Sequence, residues 1–194
     1  MTRVCVFCGS NPGLRADYGI AVQGLAIALV RSGFDLVYGG GNVGLMGQLA
    51  DAMLHAGGQV IGVIPRALCD KEVAHHGVTE LRIVETMHQR KAMMNDLSDA
   101  FIALPGGYGT LDEFFEILTW AQLGIHAKPC GLLNVAGYYD SLLAMLDRAV
   151  AEGFLRPAHR KLITAESDAN VLLQHLQAAC GHSLDNSRAM GNFS

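Results

Sequence analysis

The residues best suited to chemistry are in the stretch LPGGYGTLDE, residues 104–113, where three glycines precede a threonine and two acids. Glycine lets the backbone turn sharply and approach a ligand closely. A helix that follows such a loop offers unpaired N–H groups and a partial positive charge to an anion. Thr110 can add a hydroxyl donor to a phosphate oxygen. The stretch therefore predicts a phosphate site at the start of a helix over 111–123.

A structural interpretation of the same residues is also open. Thr110 and Glu113 have the spacing of a capping box, in which a threonine caps the helix and a glutamate three residues later bonds back to it. In that case both side chains serve the helix end and need no ligand. The residues alone leave both interpretations open.

Two more glycine-rich loops follow predicted strands: FCGSNPG at 7–13 and GGGNVGLMG at 39–47. The second contains GxGxxG, but it follows the second strand, and the third strand ends in Ile64-Pro65-Arg66 instead of an acid. A dinucleotide site has the glycines on the first strand and an acid about 20 residues later, so we expect no NAD. The triphosphate signature GxxxxGK[ST] does not occur in the sequence. The loops thus predict a monophosphate, with no cofactor and no metal.

A second cluster is ETMHQRKAMMND, residues 85–96, where Thr86 and Gln89 form a predicted capping box. Arg90 and Lys91 follow in the first turns of the helix, where the helix dipole disfavours cations by about 0.3–1 kcal/mol. A ligand or a carboxylate partner would explain their position. The alternative is a basic pair in solvent.

Short apolar segments alternate with helical ones, which predicts an α/β fold with a doubly wound, mostly parallel, Rossmann-like sheet and helices on both faces. We expect one domain over 1–180 and a mobile C-terminal tail over 181–194, where periodicity is lost. The predicted strands lie at 4–8, 35–39, 59–64, 81–84, 100–104 and 130–133, followed by a last strand-helix pair. The predicted helices lie near 17–32, 44–57, 87–97, 111–123 and 139–152.

Composition narrows the class of partner. The chain has 194 residues and a net charge of -4 without a basic cluster, so we expect a small ligand and no nucleic acid. No window approaches the roughly 18 apolar residues of a membrane span, and we expect no membrane partner. Five scattered cysteines argue against a secreted disulfide framework, so we expect a cytoplasmic protein. Cys5 and Cys8 would point to opposite faces of a strand, which predicts buried thiols at these two positions.

The combination of GGGNVGLMG, MHQRKAMM and PGGYGTLDE resembles the Lonely Guy family of cytokinin-activating phosphoribohydrolases, also labelled "possible lysine decarboxylase". The resemblance covers about residues 3 to 155. It implies an N-glycosyl hydrolase that splits a nucleoside 5′-monophosphate into free base and ribose 5-phosphate. The base would be an adenine, either plain as in AMP or N6-substituted as in a cytokinin. The family's habit also implies a homodimer. The Met-rich helix 87–97 and the apolar content of helices 111–123 and 139–152 favour the same expectation.

The resemblance also assigns residues. Arg90 and Glu113 would be catalytic, and the ribose phosphate would bind along the loop and the first turns of the helix. Predicted substrate-binding residues are Gly9, Ser10, Gly40, Gly41, Met46, Glu72, Arg90, Lys91, Gly107, Tyr108, Gly109, Thr110, Leu111, Asp112, Glu113 and Thr119.

These roles agree with the chemistry of the bond. Cleavage at the anomeric carbon develops oxocarbenium character, which a carboxylate stabilises directly or through a water that it activates. Glu113, in the predicted first helical turn, would be ionised. Arg90 could hold Glu113 or grip the substrate. None of the four lysines has the context of a Schiff base, so we reject a pyridoxal-phosphate decarboxylase. A non-catalytic nucleotide-binding or carrier protein remains the alternative.

Overall fold

The computed structural model describes residues 2–69 and 74–190, with only the backbone over 181–190. The described residues form one seven-strand sheet of order β4-β3-β2-β1-β5-β6-β7. Every neighbouring pair is parallel, as in a doubly wound fold. The strands are β1 Arg3–Phe7, β2 Asp35–Tyr38, β3 Val60–Pro65, β4 Glu80–Val84, β5 Ala100–Ala103, β6 Cys130–Leu133 and β7 Ile163–Glu166.

Helices cover both faces of the sheet because the strand side chains alternate between two apolar layers. The helices are α1 Ala16–Arg31, α2 Gly44–His55, α3 Arg66–Cys69, α4 Met87–Leu97, α5 Tyr108–Gln122, α6 Asp140–Ala151, α7 Pro157–Arg160 and α8 Ala169–Met190. Val4 and Val6 pack with α1, α2 and α8, whereas Cys5 and Phe7 pack with α4 and α5. The predicted fold class is confirmed.

The order in which the chain adds strands to the sheet reverses at β1. From β1 the chain adds β2, β3 and β4 on one side and then crosses to β5 on the other. In an open parallel sheet the loops leaving such a switch point diverge and leave a crevice at the carboxyl ends of the strands. The loops after β1 and β5 are FCGSNPG and PGGYGT, so the topology brings two of the three glycine-rich loops together.

Two predicted boundaries differ from the structure. Helix α5 begins at Tyr108, three residues before the predicted start at 111. Helix α8 runs to Met190, so its backbone covers most of the segment predicted as a tail, and residues 191–194 lie outside the described part of the chain. The mobility of 181–194 stays a prediction. Among the described residues, no helix combines the length and apolarity that a membrane crossing requires.

Candidate active site

A cavity of about 350 Å³ opens at the switch point, between the loops that follow β1 and β5. The start of α5 forms one wall, and side chains from α1 and α2 form another. Its lining residues are Cys8, Gly9, Ser10, Asn11, Pro12, Gly13, Tyr18, Leu45, Met46, Pro105, Gly106, Gly107, Tyr108, Gly109, Thr110, Glu113 and Tyr138.

The N-terminus of α5 points its first residues into this cavity. Gly107 is the N-cap residue and makes no side-chain cap, so the N–H groups of the first turn lack intrahelical partners. Thr110 is the third residue of the helix and is almost completely buried. A Cβ atom on Gly106 would collide with the Thr110 hydroxyl, which is why the loop needs glycine there. The start of α5 therefore has the geometry that the sequence predicts for an anion site, and phosphate binding there stays a prediction.

The capping-box interpretation of Thr110 and Glu113 is wrong. Because α5 starts at Tyr108, Thr110 lies inside the helix and Glu113 lies in the second turn. The expectation that Glu113 is ionised because it lies in the first turn is wrong for the same reason. A basic residue on a neighbouring helix pairs with Glu113 instead.

That neighbour is Arg90 on α4. Its Nη1 atom lies 3.0 Å from Oε1 of Glu113, and the two side chains are only 6% and 11% exposed. A carboxylate and a guanidinium in so dry a setting interact far more strongly than in water. Glu113 lines the cavity and Arg90 lies behind it, so the carboxylate forms part of the cavity wall.

Backbone carbonyls fix the rest of the guanidinium. Its Nε donates to the carbonyl of Val63 at 3.0 Å, and its Nη2 donates to the carbonyl of Gly39 at 3.1 Å. A Cβ atom on Gly39 would overlap Nη2, so the first position of the GGGNVG loop must be glycine to accommodate the Arg90 side chain. Arg90 is therefore tied to β3, to the loop after β2 and to Glu113.

The basic start of α4 also has its explanation. The Thr86–Gln89 capping box is confirmed. Lys91 lies 2.7 Å from Asp112 and 3.0 Å from Glu116, both on α5. Partial burial lowers the pKa of Lys91, but its hydrogen bonds to these carboxylates outweigh burial and raise it overall. Lys91 thus has the carboxylate partner that the sequence predicts as one explanation of its position.

The structure groups some of the predicted substrate-binding residues and separates others. Gly9, Ser10, Met46, Gly107, Tyr108, Gly109, Thr110 and Glu113 line the cavity. Gly40, Gly41, Arg90, Lys91, Leu111, Asp112 and Thr119 lie outside its lining, and the Thr119 hydroxyl donates to the Phe115 carbonyl at 2.7 Å. Glu72 lies outside the described residues. For residues beyond the cavity wall, contact with substrate stays a prediction.

Sequence reasoning missed two of the three tyrosines that line the cavity. Tyr18 and Tyr138 line the cavity and contact each other edge to face, with ring centroids 6.0 Å apart. The only signal for Tyr138 was its place after a strand, where ligand-binding segments occur in this fold. Tyr18 lies within α1 and carries no such signal.

Cys8 lines the cavity but is poorly suited to act as a nucleophile. Burial, and after it the charge of Glu113, raises the pKa of its thiol well above the ordinary value. The reactive form of cysteine is the thiolate, which this environment disfavours. Cys5 and Cys8 are free, buried and packed in opposite layers, so the prediction of buried thiols is confirmed.

The fold and the site together define a doubly wound α/β protein with a glycine-rich helix start and a largely buried carboxylate at its switch point. Residues 46–176 match the protein family described as "Possible lysine decarboxylase". The chain belongs to this family, within its Lonely Guy group.

Curated relatives carry more specific names. A rice protein (Oryza sativa subsp. japonica) named probable cytokinin riboside 5′-monophosphate phosphoribohydrolase is 58% identical over 90% of this chain and 77% of its own length. An Arabidopsis thaliana protein named cytokinin riboside 5′-monophosphate phosphoribohydrolase is 53% identical over 90% of this chain and 82% of its own.

Similar solved structures share the fold. The molybdenum cofactor carrier protein of Chlamydomonas reinhardtii superposes with a TM-score of 0.68, covering 93% of this chain and 98% of its own. The molybdenum cofactor binding protein of Rippkaea orientalis also gives 0.68, over 91% and 96%. Their sequence identities are 18% and 21%, so the likeness concerns the fold alone.

Proposed function

We propose that this protein hydrolyses the N-glycosidic bond of adenine-type nucleoside 5′-monophosphates, giving the free base and ribose 5-phosphate. The observation that carries the proposal is the buried Arg90–Glu113 ion pair, whose glutamate lines a cavity at the N-terminus of α5. The names of relatives above 50% identity support the same reaction. Both plain AMP and its N6-substituted cytokinin counterparts belong to this substrate class.

The residues divide the reaction between them. The first amides of α5 and the Thr110 hydroxyl hold the 5′-phosphate, which fixes the sugar beside Glu113. The bond between C1′ and the base nitrogen then breaks, and its electrons leave with the base. Glu113 stabilises the positive charge that develops on the sugar, or takes a proton from the water that attacks C1′. Arg90 keeps the carboxylate in place.

The same site argues against the other candidate chemistries. No lysine is among the described residues that line the cavity, which leaves no Schiff-base partner for a decarboxylase. A carrier shares the fold but gains nothing from a carboxylate beside an anion site, because the negative charge of Glu113 opposes anion binding. A hydrolase needs that charge in the transition state.

The decisive experiment is an assay of the purified protein with AMP and with isopentenyl-AMP. Base release is followed by chromatography, and the two substrates are compared by kcat/KM. Release of adenine or of the prenylated base identifies a hydrolase and ranks the bases. Tight binding without release of base would identify a nucleotide carrier.

Cleavage should depend strongly on the phosphate. We expect kcat/KM for AMP to exceed that for adenosine by about 10²-fold or more, because binding energy from the phosphate positions the reacting sugar. Initial rates of adenine release from both compounds measure the ratio. Similar rates on AMP and adenosine would contradict the role given to the start of α5.

We also propose a homodimer. Helix α6, which the structure describes along its whole length, has no fully buried residue, and Met145 on it is 68% exposed. Leu123 and Ile125 after α5 are 66% and 64% exposed. Symmetric pairs are the commonest way to cover such surfaces.

Light scattering at micromolar concentration should therefore give twice the chain mass of 20.7 kDa. A matched variant, Met145→Glu, places a charge on the exposed face of α6 and should shift the mass toward the monomer if α6 lies in the interface. A wild-type mass of one chain would overturn the homodimer.

A further inference from the structure

The loop before α5 is held by two consecutive tyrosines from another part of the chain. Tyr138 donates its hydroxyl to the carbonyl of Gly106 at 2.6 Å, and Tyr139 donates to the carbonyl of Leu104 at 2.6 Å. The carbonyl between them, on Pro105, accepts from the Gly9 amide at 3.1 Å. All three carbonyls leading into the anion site are thus fixed by donors outside the loop.

The carbonyl of Gly106 matters most because of the peptide it belongs to. In a planar trans peptide the C=O and the following N–H point in opposite directions. With the oxygen bonded to Tyr138, the Gly107 amide points away from that tyrosine. A flip of this peptide would replace a donor by an acceptor beside the bound anion, and two adjacent glycines present little steric barrier to a flip.

The segment that carries the tyrosines is itself tightly fixed. Asn134 accepts from the Tyr139 amide at 2.7 Å, and its side-chain nitrogen donates to Asp140 at 2.7 Å. Between them Ala136 adopts φ of 51°, a left-handed conformation that costs a non-glycine residue about 1 kcal/mol. The rings of Tyr138 and Tyr139 meet edge to face at 5.0 Å. Strain held this close to a site indicates a segment whose geometry is used.

We propose that Tyr138 and Tyr139 are positioning residues that lock the Leu104–Gly107 loop with its amides available to the substrate phosphate. They act through the loop, without touching the reacting atoms. The assignment rests on the proposed function, because it takes the 5′-phosphate as the anion. It adds two residues outside the PGGYGTLDE stretch to the phosphate site.

The test removes one hydroxyl and keeps the ring. Tyr138→Phe should weaken the binding of ribose 5-phosphate, measured by calorimetry, by about three- to tenfold, the scale of one net hydrogen bond. KM for AMP should rise by a similar factor, with a smaller change in kcat. Binding of adenosine, which has no phosphate, should stay at the wild-type level. A merely structural role would weaken both ligands alike.

Tyr38→Phe is the matched control. Tyr38 is fully buried at the end of β2, and its hydroxyl has no hydrogen-bond partner among the described residues. Its loss should leave ribose 5-phosphate binding unchanged. If the melting curve of Tyr139→Phe shows that this variant is folded, it should reproduce the effect of Tyr138→Phe.

The outcomes separate the two proposals. If the wild type hydrolyses AMP but Tyr138→Phe binds ribose 5-phosphate as tightly as the wild type, the tyrosine lock is wrong and the proposed function stands. If the wild type neither binds ribose 5-phosphate nor releases base, both fall.

Discussion

Glu113→Gln is expected to lower kcat on AMP by about 10²-fold or more, the scale expected when one preorganised electrostatic stabiliser is lost. Glutamine keeps the shape of the side chain and an oxygen acceptor but removes the negative charge. The charge matters only when positive charge develops on the sugar, so the loss should appear in kcat more than in KM. Steady-state base release with AMP measures both constants.

The same substitution should also reduce stability. It leaves Arg90 without its opposite charge in a nearly dry environment, although two backbone carbonyls and the glutamine oxygen still accept from it. We expect a loss of about 1–3 kcal/mol, smaller than for complete removal of a buried partner. The assay must therefore run well below the melting temperature of the variant. Retained binding of ribose 5-phosphate shows that the site is still formed.

Glu116→Gln is the matched control for this experiment. Glu116 lies one turn further along α5, pairs with Lys91, and does not line the cavity. The same chemical change there should leave kcat within about twofold, because Glu116 does not line the cavity and a partly exposed ion pair contributes little to stability. Wild-type turnover by Glu113→Gln would make the buried pair structural and would remove Glu113 from the catalytic residues.

Much of the fold could be predicted from the sequence because local and global signals agree. The strands are unbroken apolar segments such as VCVF and AFIA, which indicate a sheet covered on both faces. Glycine-rich loops follow β1, β2 and β5, where the topology of a doubly wound sheet places ligands. The Thr86–Gln89 capping box is a short-range signal, and it is confirmed.

The start of α5 could not be placed from the sequence because all three glycines of PGGYG were assigned to the loop, although the helix already begins at Tyr108. Gly107 is the N-cap residue and Gly109 is inside the helix, where glycine is disfavoured by about 1 kcal/mol relative to alanine. Thr110, a favourable cap in isolation, is instead buried beneath Gly106. Tertiary packing thus overrides the local preference, as is common at binding sites.

The partners of Arg90 are also beyond sequence reasoning. They come from β3, from the loop after β2 and from α5, which are distant along the chain and meet only in the folded protein. The sequence left open whether Arg90 holds Glu113 or grips the substrate. Three fixed acceptors around one guanidinium favour the first role, because three of its five N–H donors are already engaged within the protein.

Arg90→Lys should separate these two roles. Lysine keeps the positive charge but cannot reach Val63, Gly39 and Glu113 together, so the carboxylate loses its fixed orientation. We expect kcat on AMP to fall by about 10²-fold, because small displacements of a catalytic group are costly. Ribose 5-phosphate affinity should stay near wild type. Arg82→Lys, on the exposed pair with Glu80, is the matched control and should change neither quantity.

The double variant Arg90→Lys/Glu113→Gln gives the strictest form of this prediction. If Arg90 acts by holding Glu113, its replacement costs nothing more once the charge of Glu113 is gone, and the double variant should be no slower than the slower single variant. If Arg90 binds substrate on its own, the two losses should multiply to about 10⁴-fold, and ribose 5-phosphate affinity should fall as well. Single-turnover base release with AMP, measured for the wild type and the three variants, completes the cycle. Multiplicative losses would move Arg90 from positioning residue to substrate ligand.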